Sequence, residues 1–162
     1  MIDTIDLVRE ELDLGALELV NTLLEVPTAR YVDKLAARAE KHRVTIPVLM
    51  CDGEGELGAA DLDARALALR NHRKWIWIAA DLGCGAIRVN WKGWQGDEES
   101  VPIDDFIERS RATFCELVQL GMEHHVDILV ENHGGPSSDP DLLVRLMNAV
   151  DSPHFEIGRA HV

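Results

Sequence analysis

The chain reads as an α/β domain built on a parallel sheet, and three observations predict it. Short, nearly continuous apolar runs alternate with long stretches of helical periodicity. The runs lack the apolar–polar alternation of a half-exposed sheet, which fits strands covered on both faces. Polar residues gather at the carboxyl ends of the runs, where function sits both in an open doubly wound sheet and in a (βα)8 barrel. The residues themselves leave these two architectures open.

In chain order, a helix over Asp3–Leu12 precedes a first strand, Ala16–Asn21 (ALELVN). Apolar residues at three- and four-residue spacing predict a helix over Ala29–His42. The second strand is Thr45–Cys51 (TIPVLMC), where Pro47 argues mildly against a central position because it donates no ladder hydrogen bond. A helix over Asp61–Leu82 leads to the third strand, Ala86–Trp91, and a helix over Ile103–His124 to the fourth, Asp127–Glu131. The last helix, Pro140–Val150, carries Asp139 as N-cap and proline at its first position. Gly83 and Gly121 are expected helix stops. No linker or low-complexity segment divides these elements, so they form one domain.

Bulk properties narrow the function classes. The 162 residues carry a net charge of -13, with 16 basic against 29 acidic side chains. That argues against a nucleic-acid partner, which needs clustered cations, and suits a small polar substrate or a metal. No apolar run approaches the ~20 residues of a membrane helix. Cys51, Cys84 and Cys115 are widely spaced without a CxxC pattern, as buried thiols in a reducing compartment are. The first residues are too acidic for a signal peptide. A cytoplasmic location is expected, subject to any export signal that precedes this sequence.

Glu18, Asn21, Asp52, Glu54, Arg88, Asn90, Glu131 and His133 mark the carboxyl rim. Arg88 and Asn90 share one strand parity, as do Glu131 and His133, so each pair can face one interior. Gly53, Gly55 and Gly58 form a GxGxxG, but the acidic residue that a dinucleotide site needs on the next strand is missing, and a flexible loop is the better reading. His124–His125 and His42 close helices at the opposite end, and His72 lies mid-helix as a structural hydrogen-bonder. Trp75 and Trp77 are two apart on one helix, so one packs on the sheet and the other is partly exposed. Trp91 and Trp94 can stack on a sugar ring or pack in the core. Glu131 ends an apolar strand, where a buried carboxylate needs a cation. Arg88 can supply it, or a divalent metal can, with Asn132 or His133 beside it.

The stretch VENHGGPSSDPDLLVRLMNAVDSPHF, together with LMCDGEGELG, NHRKWIWIAADLGC and AIRVN, resembles the sugar phosphate isomerase/epimerase family of xylose-isomerase-like TIM barrels. The resemblance runs from about Leu14 to Phe155. It implies a partial (β/α)8 barrel, about strands two to five of eight, and proton transfer next to a carbonyl through an enediolate. In that family a divalent metal (Mn, Mg, Co or Zn alike) is held by Glu, Asp, His and Glu from the fifth to eighth strands. Glu131 matches the first ligand and a proton carrier; Arg88, Asn90 and His133 are substrate-side candidates. The implied partner is a small sugar or sugar phosphate, with no nucleic acid and no membrane. An apurinic-endonuclease-type phosphodiesterase on the same barrel, or a non-catalytic member, are the alternatives.

The final residues depart from the family. Ile157–Val162 (IGRAHV) is the translation of a common sequencing-library adapter, so residues 1–156 are expected to be the partial barrel and 157–162 a foreign tail. A fragment of this kind is expected to be inactive, to hold no metal by itself, and to self-associate through open barrel edges.

Overall fold

In the computed structural model, residues 2–24, 26–94 and 102–158 are described. Five parallel strands form one sheet: β1 (Leu19–Val20), β2 (Val48–Cys51), β3 (Ala86–Val89), β4 (Asp127–Glu131) and β5 (Phe155–Gly158). Their order in the sheet is their order in the chain. A doubly wound sheet reverses its strand order midway and carries helices on both faces. Here the helices α2 (Ala29–His42), α3 (Leu62–Leu82), α4 (Ile103–His124) and α5 (Pro140–Val150) pack side by side in succession, with α1 (Ile2–Glu10) against α2. Sequential strands behind a single row of helices are part of a TIM barrel.

Register fixes which side chains meet the helices. Leu19, Leu49, Ile87, Ile128 and Phe155 lie side by side across all five strands and are 0–2% exposed. The next residue of each strand, Val20, Met50, Arg88, Leu129 and Glu156, turns to the opposite face. The hydrophobic core thus fills the space between sheet and helices, and the opposite face carries the polar groups.

The helix boundaries follow local chemistry. Thr28, Asp61 and Asp139 cap α2, α3 and α5 by accepting hydrogen bonds from backbone N–H groups of the first turn. Gly83 ends α3 in the left-handed conformation, as expected. Gly121 does not stop α4, which continues to His124 before His125 turns left-handed. A Cβ on Gly121 would lie 2.3 Å from the Val126 carbonyl oxygen, so this glycine lets the chain fold back closely into β4.

The strands differ more from expectation. β1 is two residues long, although an isolated parallel bridge between Ala16 and Thr45 extends its pairing toward the amino end. Pro47 precedes β2 and uses its carbonyl to accept from Gly85 and Ala86, so it removes no ladder bond. The fifth strand corrects a count of four: Phe155 packs against Phe114 with ring centroids 4.9 Å apart, and Glu156 interrupts what would otherwise read as an apolar run. Ile157 and Gly158, from the expected foreign tail, lie in β5 opposite Val130 and Glu131. The remaining four residues of that tail are outside the described residues. No helix among the described residues is long and apolar enough to cross a membrane.

Candidate functional site

The polar face is organised around one arginine. Arg88 leaves β3 with its side chain 10% exposed, and its Nη1 donates to Asp52 Oδ1 at 2.7 Å. The same Nη1 lies 3.0 Å from Oε2 of Glu131, whose side chain is 11% exposed. Asn90 Nδ2 donates to Asp52 Oδ1 at 2.8 Å. Burial alone would raise the Asp52 carboxyl, but hydrogen bonds from Arg88 and Asn90 and the charges of Arg88 and Lys92 outweigh it, holding the group below the usual carboxylate range. Gly158 belongs to this face: a Cβ there would come within 3.3 Å of the Arg88 stem.

Asn21, 4% exposed, clamps the rim from the side of β1. Its Oδ1 accepts from the Asp52 N–H at 2.8 Å, and its Nδ2 donates to the Asp52 carbonyl at 2.9 Å and to Glu54 Oε1 at 3.0 Å. Glu54 also accepts from Trp75 Nε1 at 2.6 Å and Lys74 Nζ at 3.1 Å. The loop after β2 is therefore pinned rather than flexible. Its glycines serve space and turn geometry: Gly53 and Gly55 have positive φ, and a Cβ on Gly58 would lie 2.3 Å from Phe106 Cε2.

The sequence candidates separate accordingly. Arg88, Asn90 and Glu131 come together, joined by Asp52 and Asn21. His133 shares the rim but is 73% exposed, with Nδ1 3.8 Å from Glu131 Oε2. Glu18 precedes β1 and is exposed. Trp91 is core: it is 1% exposed, stacks on Phe106 at 4.9 Å and donates to Ser110 at 2.9 Å. Trp94, half-buried, lines a cavity of about 370 Å³ with Asn90, Lys92 and His133. Trp75 is buried and Trp77 half exposed. His72 accounts for itself structurally, through a 2.8 Å contact of Nδ1 with the Ala68 carbonyl, and burial pulls its basicity down. His42 closes α2 and is mostly buried, 3.2 Å from Asp6.

A metal site needs three or four converging ligands. Among the described residues no group of three His, Cys, Asp or Glu side chains is placed to provide one. Glu131 offers a single carboxylate, and the cation that meets it is Arg88. The residues described here do not by themselves fit a bound metal. The cysteines are free, and burial pushes the Cys84 thiol up to about 12 and the Cys51 thiol higher still.

Fold and rim together define a segment of a parallel barrel with its polar residues at the carboxyl ends of the strands. Residues 5–158 match the model of the xylose isomerase-like TIM barrel family, and the chain belongs to that family. No curated protein matches the sequence. Among solved structures, D-psicose 3-epimerase with D-tagatose from Clostridium cellulolyticum H10 superposes with a TM-score of 0.80 at 18% identity, over 98% of this chain and 57% of that one. An L-ribulose 3-epimerase gives 0.80 at 13% identity, over 98% and 54%. The IolI protein with a bound zinc atom gives 0.78 at 12%, over 96% and 56%. At these identities the likeness is one of fold. The chain spans a little over half the length of each structure.

Proposed function

We propose that this chain is part of a sugar isomerase or epimerase that moves a proton at a carbon next to a carbonyl. The observation that supports this reading is the convergence of Asp52, Arg88, Asn90 and Glu131 at the carboxyl rim of a xylose isomerase-like barrel. Solved structures with this fold are named as 3-epimerases of psicose and ribulose. In the proposed chemistry Glu131 carries the proton. Its carboxylate is held by Arg88, which orients it on the polar rim. Asn90 and His133 line the cavity beside Trp94, where they would donate hydrogen bonds to substrate hydroxyls or accept hydrogen bonds from them.

A divalent metal, if the complete enzyme uses one, would polarise the carbonyl oxygen. Glu131 would be one of its ligands, and the described residues supply no set of three with it. The described residues leave that site incomplete, so no step is assigned to a metal. By the same reasoning the chain alone is expected to be inactive.

The test begins at the source locus, by reading the coding sequence through the codon for Glu156 from both flanks. A frame that continues into strands bearing Asp, His and Glu gives a complete barrel to express. That protein, incubated with a ketohexose and divalent ions in heavy water, is expected to exchange the carbon-bound proton next to the carbonyl. Glu131→Gln is expected to lower the exchange rate by about a thousandfold, the scale of losing a positioned acid–base group. Full exchange in Glu131→Gln would remove this residue from the chemistry. A genomic stop directly after IGRAHV would leave an interaction role in place of catalysis.

A further inference from the structure

His72 holds more chemistry than its bond to the Ala68 carbonyl uses. A carbonyl can only accept, so the 2.8 Å contact places a proton on Nδ1. In a neutral ring the other nitrogen, Nε2, is then a bare acceptor. The residue is 2% exposed, and burial, the largest influence on its basicity, favours the neutral form. Among the described residues nothing donates to Nε2, yet it is not one of the unpartnered polar atoms sealed in the interior. It opens on a cavity of about 210 Å³ that His72 lines.

The wall around this nitrogen is fixed, and its nearest competitor is occupied. Glu54, on the same wall, already accepts from Asn21, Trp75 and Lys74. Asn71, beside His72 on α3, donates to the Glu54 carbonyl at 3.3 Å. Gly55 brings the loop against the turn that carries the Ala68 carbonyl, where a Cβ would lie 3.0 Å from the Ala68 methyl carbon. The Cys51 thiol, a weak donor, points to the Leu49 carbonyl 3.7 Å away. Glu56 can accept as well, but it lines the larger cavity beside Trp94 too and so does not single out the smaller one.

Asn90 and Lys92 also line both cavities, which therefore adjoin. At about 210 Å³ the smaller lies below the size of about 300 Å³ at which pockets for whole small molecules begin. It has room for one end of a ligand whose body lies in the larger cavity of about 370 Å³. His133, next to Glu131, lines the larger cavity and not the smaller, so the reacting carbonyl end belongs on that side. We propose that His72 is a specificity-determining residue whose Nε2 accepts a hydrogen bond from the terminal hydroxyl of the ligand, at the end remote from the carbonyl. The inference rests on the sugar-handling reading above and adds to it a residue outside the Asp52–Arg88–Glu131 group.

Two substitutions separate the two ring nitrogens. Asparagine keeps a donor near the place of Nδ1 but falls short of Nε2, whereas glutamine reaches the place of Nε2 with an amide oxygen. The experiment records nitrogen-15 spectra of the histidine rings in the 162-residue chain at neutral pH. It then titrates the chain with D-fructose and with 6-deoxy-D-fructose, reading tryptophan fluorescence and ligand-observed NMR. His72 is expected to show a protonated Nδ1 and a bare Nε2, whose resonance moves when D-fructose is added. D-Fructose is expected to bind about tenfold tighter than the deoxy sugar, the scale of one hydrogen bond. His72→Gln is expected to keep most of that ratio and His72→Asn to bring it near one. A ring protonated on Nε2 overturns the inference without touching the sugar-handling reading, and it needs no variant to be seen. Equal affinities for the two sugars, or a ratio that survives His72→Asn, overturn it in the same way. Binding of neither sugar sinks the inference together with the reading beneath it, at the level of this chain.

Discussion

Arg88→Met isolates the electrostatics of the rim. At 3.0 Å the attraction between Arg88 and Glu131 is about 5 kcal/mol for an effective dielectric of about 20, before desolvation is counted. Removing the cation leaves Glu131, at 11% exposure, with only the exposed His133 ring 3.8 Å away. Breaking a buried pair in this way costs about 3–5 kcal/mol. Asp52, at 41% exposure, adds under about 1 kcal/mol because water screens it. A loss of about 3–4 kcal/mol at pH 7 is expected, measured by urea unfolding followed with circular dichroism. The pH dependence carried by Asp52 is expected to be weaker in the variant. In the unaltered chain the Asp52 carboxyl is depressed in the folded state, so its stabilisation is present above the unfolded carboxylate range and disappears as pH falls through the folded value. In Arg88→Met the Asn90 hydrogen bond and the Lys92 charge still favour the ionised Asp52 carboxylate, but the hydrogen bond and charge of Arg88 are gone. The difference between the two proteins therefore narrows as pH falls through the folded value of Asp52. A loss below about 0.5 kcal/mol at pH 7, the scale of an ordinary surface change, or a loss independent of pH, would refute the idea that Arg88 is the counter-charge of this rim.

Other substitutions test separate parts of the structure. Asn21→Ala removes three hydrogen bonds from a residue 4% exposed; a loss of about 2–3 kcal/mol and faster amide hydrogen exchange at Asp52 are expected. Gly121→Ala places a Cβ 2.3 Å from the Val126 carbonyl oxygen, and overpacking of this kind costs about 1–3 kcal/mol, read as a lower urea midpoint. His72 is buried and its pKa lowered, so the unfolded chain binds its proton first; stability should fall as pH drops below about 6.5. His72→Gln is expected to flatten that part of the stability–pH profile, and an unchanged slope would show that another group carries it.

Much of this protein was readable in one dimension. The bounds of α2, α4 and α5 and of β4 follow from apolar spacing and caps within a few residues of each terminus, because capping and amphipathicity are local properties. The polar rim followed from the same strands: Arg88, Asn90 and Glu131 sit at carboxyl ends and share a face. The family resemblance then turned an ambiguous parallel sheet into a barrel. What the tertiary structure decided are relations between distant residues. It chose Arg88 as the cation for Glu131 and joined Asp52 to that pair across 36 residues of chain. It made Asn21 a clamp on the loop after β2, and made Gly58 and Gly121 spacers where a Cβ would strike a phenylalanine ring or a carbonyl. It drew Phe155–Gly158 into the sheet although the run is short and interrupted. Local sequence encodes which face a side chain takes; which partner waits on that face depends on register and packing, set only when the strands come together.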